Sequence, residues 1–206
     1  GTIGMVLLSH GIFSFGATAR ESYERMIHLV DRAERYLDER GAWKLAAAEN
    51  RAATPLPPTR IAGLRKDISQ GAGNPMIVAV HQDARAASFA RRADIAQISQ
   101  QGPATPDHVI RTKRLPMLGC GIENYMQAYR SYFESHAPHA KEPKTMLDAA
   151  PRVVLDPELG LCTVGRSAKD AAIVADLYRH TMDVIERATL LGGFKALPAR
   201  DIFDVE

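Results

Sequence analysis

Two stretches of this chain, "GIFSFGATARE" (residues 11–21) and "GLCTVGRSAKD" (residues 160–170), align without a gap. Each has a glycine at both ends of a four-residue, apolar-rich segment, then a hydroxyl three residues before an acid, with a base just ahead of that acid. An apolar run precedes each, "MVLL" in one and "RVVL" in the other. A glycine that ends a strand reaches backbone angles closed to other residues. A Ser or Thr three residues before an acid is a helix-capping pattern, in which hydroxyl and carboxylate satisfy free amides of the first turn. One supersecondary unit, strand, turn, strand and capped helix, is therefore expected twice. The helices that follow share a length, but their apolar stripes are offset by one residue. The two units differ at one telling place: His10 in the first corresponds to Leu159 in the second.

Between these units the pattern is alternating α/β. Tyr23, Met26, Ile27, Val30, Ala33 and Leu37 follow at helical spacing, and Gly41 is the expected stop. Residues 42–58 turn Ala- and Pro-rich and are expected to form a linker, since Pro55, Pro57 and Pro58 cannot continue a helix. A new cycle then starts: a helix over 60–70, a turn over 71–75, a buried strand over 76–80 ending at His81, and a helix over 84–98. A loop, "TPDHVIRTKRLPML", leads to a short strand. An aromatic-bearing helix over 122–135, a strand over 152–155 and a long helix over 168–190 complete it. The fold class is α/β, a layered mixed or antiparallel sheet with helices on its faces.

Composition narrows the function. The net charge of +2 comes from scattered residues and gives no basic face for nucleic acid. No window is apolar for long enough to cross a bilayer, and the N-terminus lacks the order of a signal peptide. The two cysteines, Cys120 and Cys162, have neither metal-type nor redox-type spacing and fit reduced thiols in a cytoplasmic protein. No glycine-rich dinucleotide motif occurs. A chain opening on Gly-Thr-Ile-Gly and entering a strand at once is expected to be a piece of something longer.

"VLLSHGIFSFGATARESYERM" resembles the C-terminal part of class II aldolases of the aldolase/adducin family, in which the histidine before the glycine is one of three zinc-ligand histidines. The resemblance implies that His10 is a Zn2+ ligand, and that the other ligands and a catalytic glutamate lie before Gly1. "TPDHVIRTKRLPML", "RSAKDAAIVADLYRHTMDVIERA" and "ALPARDIFDVE" resemble the bifunctional rhamnulose-phosphate aldolase/short-chain dehydrogenase proteins. The implied enzyme is a lyase cleaving rhamnulose 1-phosphate to dihydroxyacetone phosphate and lactaldehyde. An NAD-dependent dehydrogenase domain would begin after Glu206, so NAD belongs outside this chain. Residues 1–41 would then be the end of one aldolase domain, and 59–206 a second, degenerate one.

"MIVAVHQDARAASFA" resembles the strand that ends in His-x-His in such enzymes, with Asp83 in place of one histidine. The resemblance further implies a sugar-phosphate substrate and a homo-oligomer, while no nucleic-acid partner, no membrane and a cytoplasmic location are the expectations from charge, apolar pattern and cysteine usage.

Each candidate has a plainer counterpart. His10 is either a metal ligand, polarising a carbonyl with other imidazoles around a cation, or a turn histidine bonded to backbone. Asp107, His108, Arg111 and Lys113 crowd a Thr-Pro turn and are the candidate substrate-binding residues, since guanidinium and ammonium groups suit a phosphorylated sugar. They could equally form a domain-docking surface. With one imidazole, the chain by itself is expected to be inactive, and a non-catalytic scaffold is the rival reading.

Overall fold

The computed structural model describes residues 2–45 and 55–206. Strands β1 (Gly4–Leu7) and β2 (Gly11–Ser14) pair antiparallel, Val6 opposite Ile12, and run into helix α1 (Ala19–Glu39). The expected cap is in place. The Thr18 hydroxyl accepts from the Glu21 amide at 3.1 Å, and the Glu21 carboxylate accepts from the Ala17 amide at 2.7 Å. Gly41, at φ 68°, turns the chain out of the helix.

The second unit repeats this construction. Strands β5 (Val153–Asp156) and β6 (Gly160–Gly165) pair antiparallel, and Ser167 caps helix α7 (Ala168–Leu190) by accepting from the Asp170 amide at 3.1 Å. The join is tight in both. A Cβ on Gly16 would lie 2.8 Å from the Ser22 nitrogen; one on Gly165 would lie 2.7 Å from the Asp170 Cβ and closer still to the Ala171 nitrogen. Glycine is needed at both positions because the helix's first turn rests on the strand's last residue.

What differs is the company each unit keeps. Around the second, β3 (Ile77–His81) lies antiparallel on the outer edge of β6, and the short β4 (Met117–Leu118) lies parallel on β5, giving the order β3-β6-β5-β4. The sheet is thus mixed, as expected. Every residue of β5 and β6 is buried. One face carries Val153, Leu155 and Leu161 against Phe89 and against Val174, Tyr178, Met182 and Ile185 of α7. The other carries Val154, Leu159, Cys162 and Val164 against Leu64, Ile68 and Met76. Around the first unit no strand flanks β1 or β2 among the described residues, and α1 buries none of its residues. Val6 and Leu8 are 68% and 83% exposed, and Phe13, Tyr23 and Ile27 are exposed beside them. A lone two-stranded hairpin is marginal in water, so this unit has the pattern of a core without its other half.

The linker expectation over 42–58 falls partly on residues 46–54, which lie outside those described. At its start, Ala42 is buried, and the Trp43 carbonyl accepts from Arg187 of α7, whose guanidinium lies 5.2 Å from the indole centre. At its end the prolines begin a helix, with Pro57 as cap and Pro58 as first residue of α2 (Pro58–Ala72). That suits proline, which has no amide hydrogen to leave unpaired there.

The helix expected over 84–98 is two helices, α3 (Ala84–Ala90) and α4 (Ile95–Ser99). At the break the Arg92 guanidinium grips Asp94 through two nitrogens, at 2.8 and 2.7 Å. Of the loop before β4, residues 106–108 form a 3-10 turn and α5 (Val109–Thr112) a single helical turn. Helix α6 (Ile122–His136) follows β4, and α8 (Ala199–Val205) ends the chain by seating Phe203 against Tyr132 and Phe133. No described helix is long and apolar enough to cross a membrane.

The glycine joins yield a paired prediction for urea unfolding followed by circular dichroism. Gly165→Ala forces the α7 start off the strand and should cost about 1–3 kcal/mol. Gly63→Ala, within α2 with nothing inside 4 Å of the new methyl, should instead add about 0.5–1 kcal/mol.

Candidate functional site

His10 sits in the β1–β2 turn with its side chain exposed. The turn is held by the His10 amide donating to the Leu7 carbonyl at 3.0 Å, and Ser9 beside it has φ 60°. The imidazole therefore has no structural task in the turn. In the second unit Asp156 does the shaping. Its Oδ1 accepts from the Glu158 and Leu159 amides, both at 2.9 Å, and its Oδ2 accepts from Arg60 at 2.7 Å. Leu159, the counterpart of His10, is fully buried.

The other two places of a would-be ligand cage in the second unit are also taken. His81 is half-buried with Nε2 2.9 Å from the Thr163 hydroxyl. Burial first, and then the nearby Arg179 cation, lower its pKa and keep it neutral at pH 7. Asp83 caps α3 by accepting from the Ala86 amide at 3.1 Å and pairs with Arg179 at 2.5 Å. That hydrogen bond from Arg179 lowers the pKa of its carboxyl. Among the described residues no three His, Cys, Asp or Glu side chains stand together as a metal site would require. Among the described residues a complete zinc site is not assembled: His10 is one exposed imidazole, and no group of three His, Cys, Asp or Glu side chains includes it.

The four candidate binding residues of the Thr-Pro segment do not form one site. Asp107 is exposed at the 3-10 turn. His108 packs its ring edge-on to His180 at 6.0 Å, and its Nδ1 is buried without a partner among the described residues. Burial, and His180 after it, lower its pKa. Arg111 is exposed at the C-terminal end of α5, 4.0 Å from Asp170, and lines a cavity with Arg152 and Arg166.

Lys113 is turned inward and does not face that cavity. It is 3% exposed; its Nζ lies 3.7 Å from the centre of the Tyr129 ring and donates to the Asp148 carbonyl. Its backbone, at φ 59° and ψ 174°, lies in a region nearly restricted to glycine. As a surface contact for an anion Lys113 is corrected: the kink it makes is what swings its side chain into the core.

Sequence reasoning missed the network around this lysine. The Tyr129 hydroxyl donates to Glu206 at 2.8 Å, while the second Glu206 oxygen is buried with no partner among the described residues. Burial raises the Glu206 pKa, against the pull of Tyr129 and Lys113. Tyr125, Tyr129 and Tyr132 form one packed face of the aromatic-bearing helix, their hydroxyls reaching Leu115, Glu206 and Ala199. His136 bonds the Tyr132 carbonyl at 2.9 Å and packs its ring 5.5 Å from Phe203. Both cysteines are free thiols. Burial pushes the Cys162 thiol up to about 12, so it is inert at neutral pH.

The family described as Aldolase class II, second domain, matches residues 57–206. A curated relative, the "Uncharacterized oxidoreductase YuxG" of Bacillus subtilis (strain 168), is 25% identical over 225 aligned residues, covering 98% of this chain. This chain spans about a third of that relative's length, 32%. No solved structure matches.

The Lys113 environment generates a pH prediction. Burial, and Arg152 after it, lower this lysine to about 7 against the raising effect of Asp148 and Glu206. The unfolded lysine therefore holds more protons than the folded one between about pH 7 and its ordinary value near 10.5. Stability should rise with pH across that window, because the cost of a buried cation is full below pH 7 and fades above it. In urea titrations from pH 7 to 9, Lys113→Met should flatten the slope relative to the unaltered chain.

Proposed function

Because this chain belongs to the family Aldolase class II, second domain, we propose that it is part of a metal-dependent sugar-phosphate aldolase in which only the first of its two units serves chemistry. The observation that carries this reading is the pair of matching turns. The same hairpin and capped helix leave His10 exposed in one unit and bury Leu159 in the other. The flanking elements of the second unit account for the burial, so the contrast that supports the reading is an imidazole against a leucine at matching turns.

The proposed reaction is retro-aldol cleavage of a ketose 1-phosphate, with rhamnulose 1-phosphate as the substrate that the sequence resemblance favours. His10 would contribute one ligand to a zinc ion. The remaining ligands would come from polypeptide outside these residues, which would also cover the apolar face of β1, β2 and α1. The second unit suggests the form of that cover, a strand on each free edge like β3 and β4. No chemical step falls to residues 57–206, whose ligand places are filled by Leu159, the His81–Thr163 bond and the Asp83–Arg179 pair. Their proposed role is scaffolding beside the catalytic unit. The printed name of the B. subtilis relative, an oxidoreductase longer than this chain, supports a companion dehydrogenase in the longer protein, and NAD would belong there.

In a longer polypeptide that carries this chain, His10→Ala should remove bound zinc and lower retro-aldol turnover by more than about a hundredfold, since even the outer partners of metal ligands cost 10–100-fold. Zinc content by plasma emission and a coupled assay for dihydroxyacetone phosphate read both effects. This chain alone should bind no stoichiometric zinc and turn over no substrate; robust turnover by it would overturn the proposal.

A further inference from the structure

Three guanidinium groups from three separate elements border one cavity of about 220 Å³: Arg111 at the end of α5, Arg152 just before β5, and Arg166 between β6 and α7. The fold does not require them. At the matching positions of the first unit stand Ile3 for Arg152 and Ala17 for Arg166, with the same hairpin and the same cap.

Local carboxylates use up only one of the three. Arg166 makes no ion pair among the described residues, and Arg111 stands 4.0 Å from Asp170, too far for a close pair. Asp170 is already engaged, its Oδ2 accepting from the Ser167 hydroxyl at 2.7 Å. Arg152 is held by Asp148 through both terminal nitrogens and by the Ala150 carbonyl, so it shapes the wall and leaves Arg111 and Arg166 as the free forks. The rest of the lining is Asp170, with its carboxylate turned to the Ser167 hydroxyl, and apolar groups from Met76, Val164, Val174 and the exposed Ile110.

We propose that this cavity binds a phosphate group, either free or carried on a small metabolite. Forked guanidinium donors match phosphate oxygens in pairs, which a lysine cannot do. The volume falls below the ~300–1,000 Å³ usual for drug-sized ligands, which suits a phosphate with a few carbons and leaves no room for a nucleotide. The apolar wall gives such a carbon skeleton a place to lie. The site is separate from His10 and does not depend on the retro-aldol reading.

Titration of this chain with glycerol 3-phosphate, inorganic phosphate and neutral glycerol, by calorimetry or amide chemical shifts, tests it directly. Saturable binding of the phosphorylated ligands and none of glycerol is expected. Arg166→Ala and Arg111→Ala should each weaken it by about tenfold or more. Arg166→Lys should fall between, keeping the charge but losing the fork, and Arg32→Ala on α1 should leave binding unchanged. Tighter binding of glycerol 3-phosphate than of phosphate would assign the site to phosphorylated metabolites; equal affinity would assign it to free phosphate. Absence of saturable binding, or an Arg32→Ala loss equal to that of Arg166→Ala, would overturn the proposal. Since the readout is binding rather than zinc content or turnover, its failure would leave the aldolase reading where it stands.

Discussion

The rest of the architecture depends on how closely the first turn of a helix can approach the end of a hairpin. Gly16 and Gly165 each sit where a methyl group would strike the backbone or side chain of the following helix. A capping hydroxyl two residues later then fixes the helix axis. With those two constraints met, each helix is aimed back across its own hairpin, and the turn between the strands is left at the opposite end. The position of that turn is therefore set by the join that lies farthest from it along the hairpin.

From that shared frame the two units diverge through what surrounds them. In the second, β3 and β4 complete the sheet and the buried residues form a core on each face. Burial of large side chains such as Phe89, Leu161 and Met182, each worth roughly 1.5–3 kcal/mol, stabilises this part far more than its surface ion pairs, which contribute up to ~1 kcal/mol each. In the first, the same kinds of side chain face solvent, so its hairpin and helix hold together mainly through their own turn, cap and mutual contact. The polar interior around Lys113, Tyr129 and Glu206 departs from an apolar core, as does buried Asp156, and it ties the loop before β4 to the C-terminal helix.

The sequence made the repeated unit legible because capping boxes and strand-end glycines are local signals, carried by a few residues at fixed spacing. It also placed α6 and α7 nearly to the residue. The break between α3 and α4 was hidden because the Arg92–Asp94 grip is a side-chain event within an unbroken apolar pattern. Helix α8 was missed because seven residues are too few to show a period. Of the candidate site, the contrast of His10 with Leu159 was readable, while the crowding of Asp107, His108, Arg111 and Lys113 was misleading. A helical turn followed by a positive-φ kink sends neighbours in sequence to opposite sides, so Lys113 enters the core while Arg111 stays at the surface. Arg152 and Arg166 lay unnoticed, yet the same alignment held the clue: they are bases where the first unit has Ile3 and Ala17.

The sealed turn of the second unit has a corollary. A histidine introduced at position 159 would put an imidazole into a dry apolar cluster before any partner ligand existed to reward it. Freeing Asp83 would first strip α3 of its cap and strand Arg179 without a counter-ion. Each step toward a metal cage there would thus cost the fold stability before any chemistry could compensate.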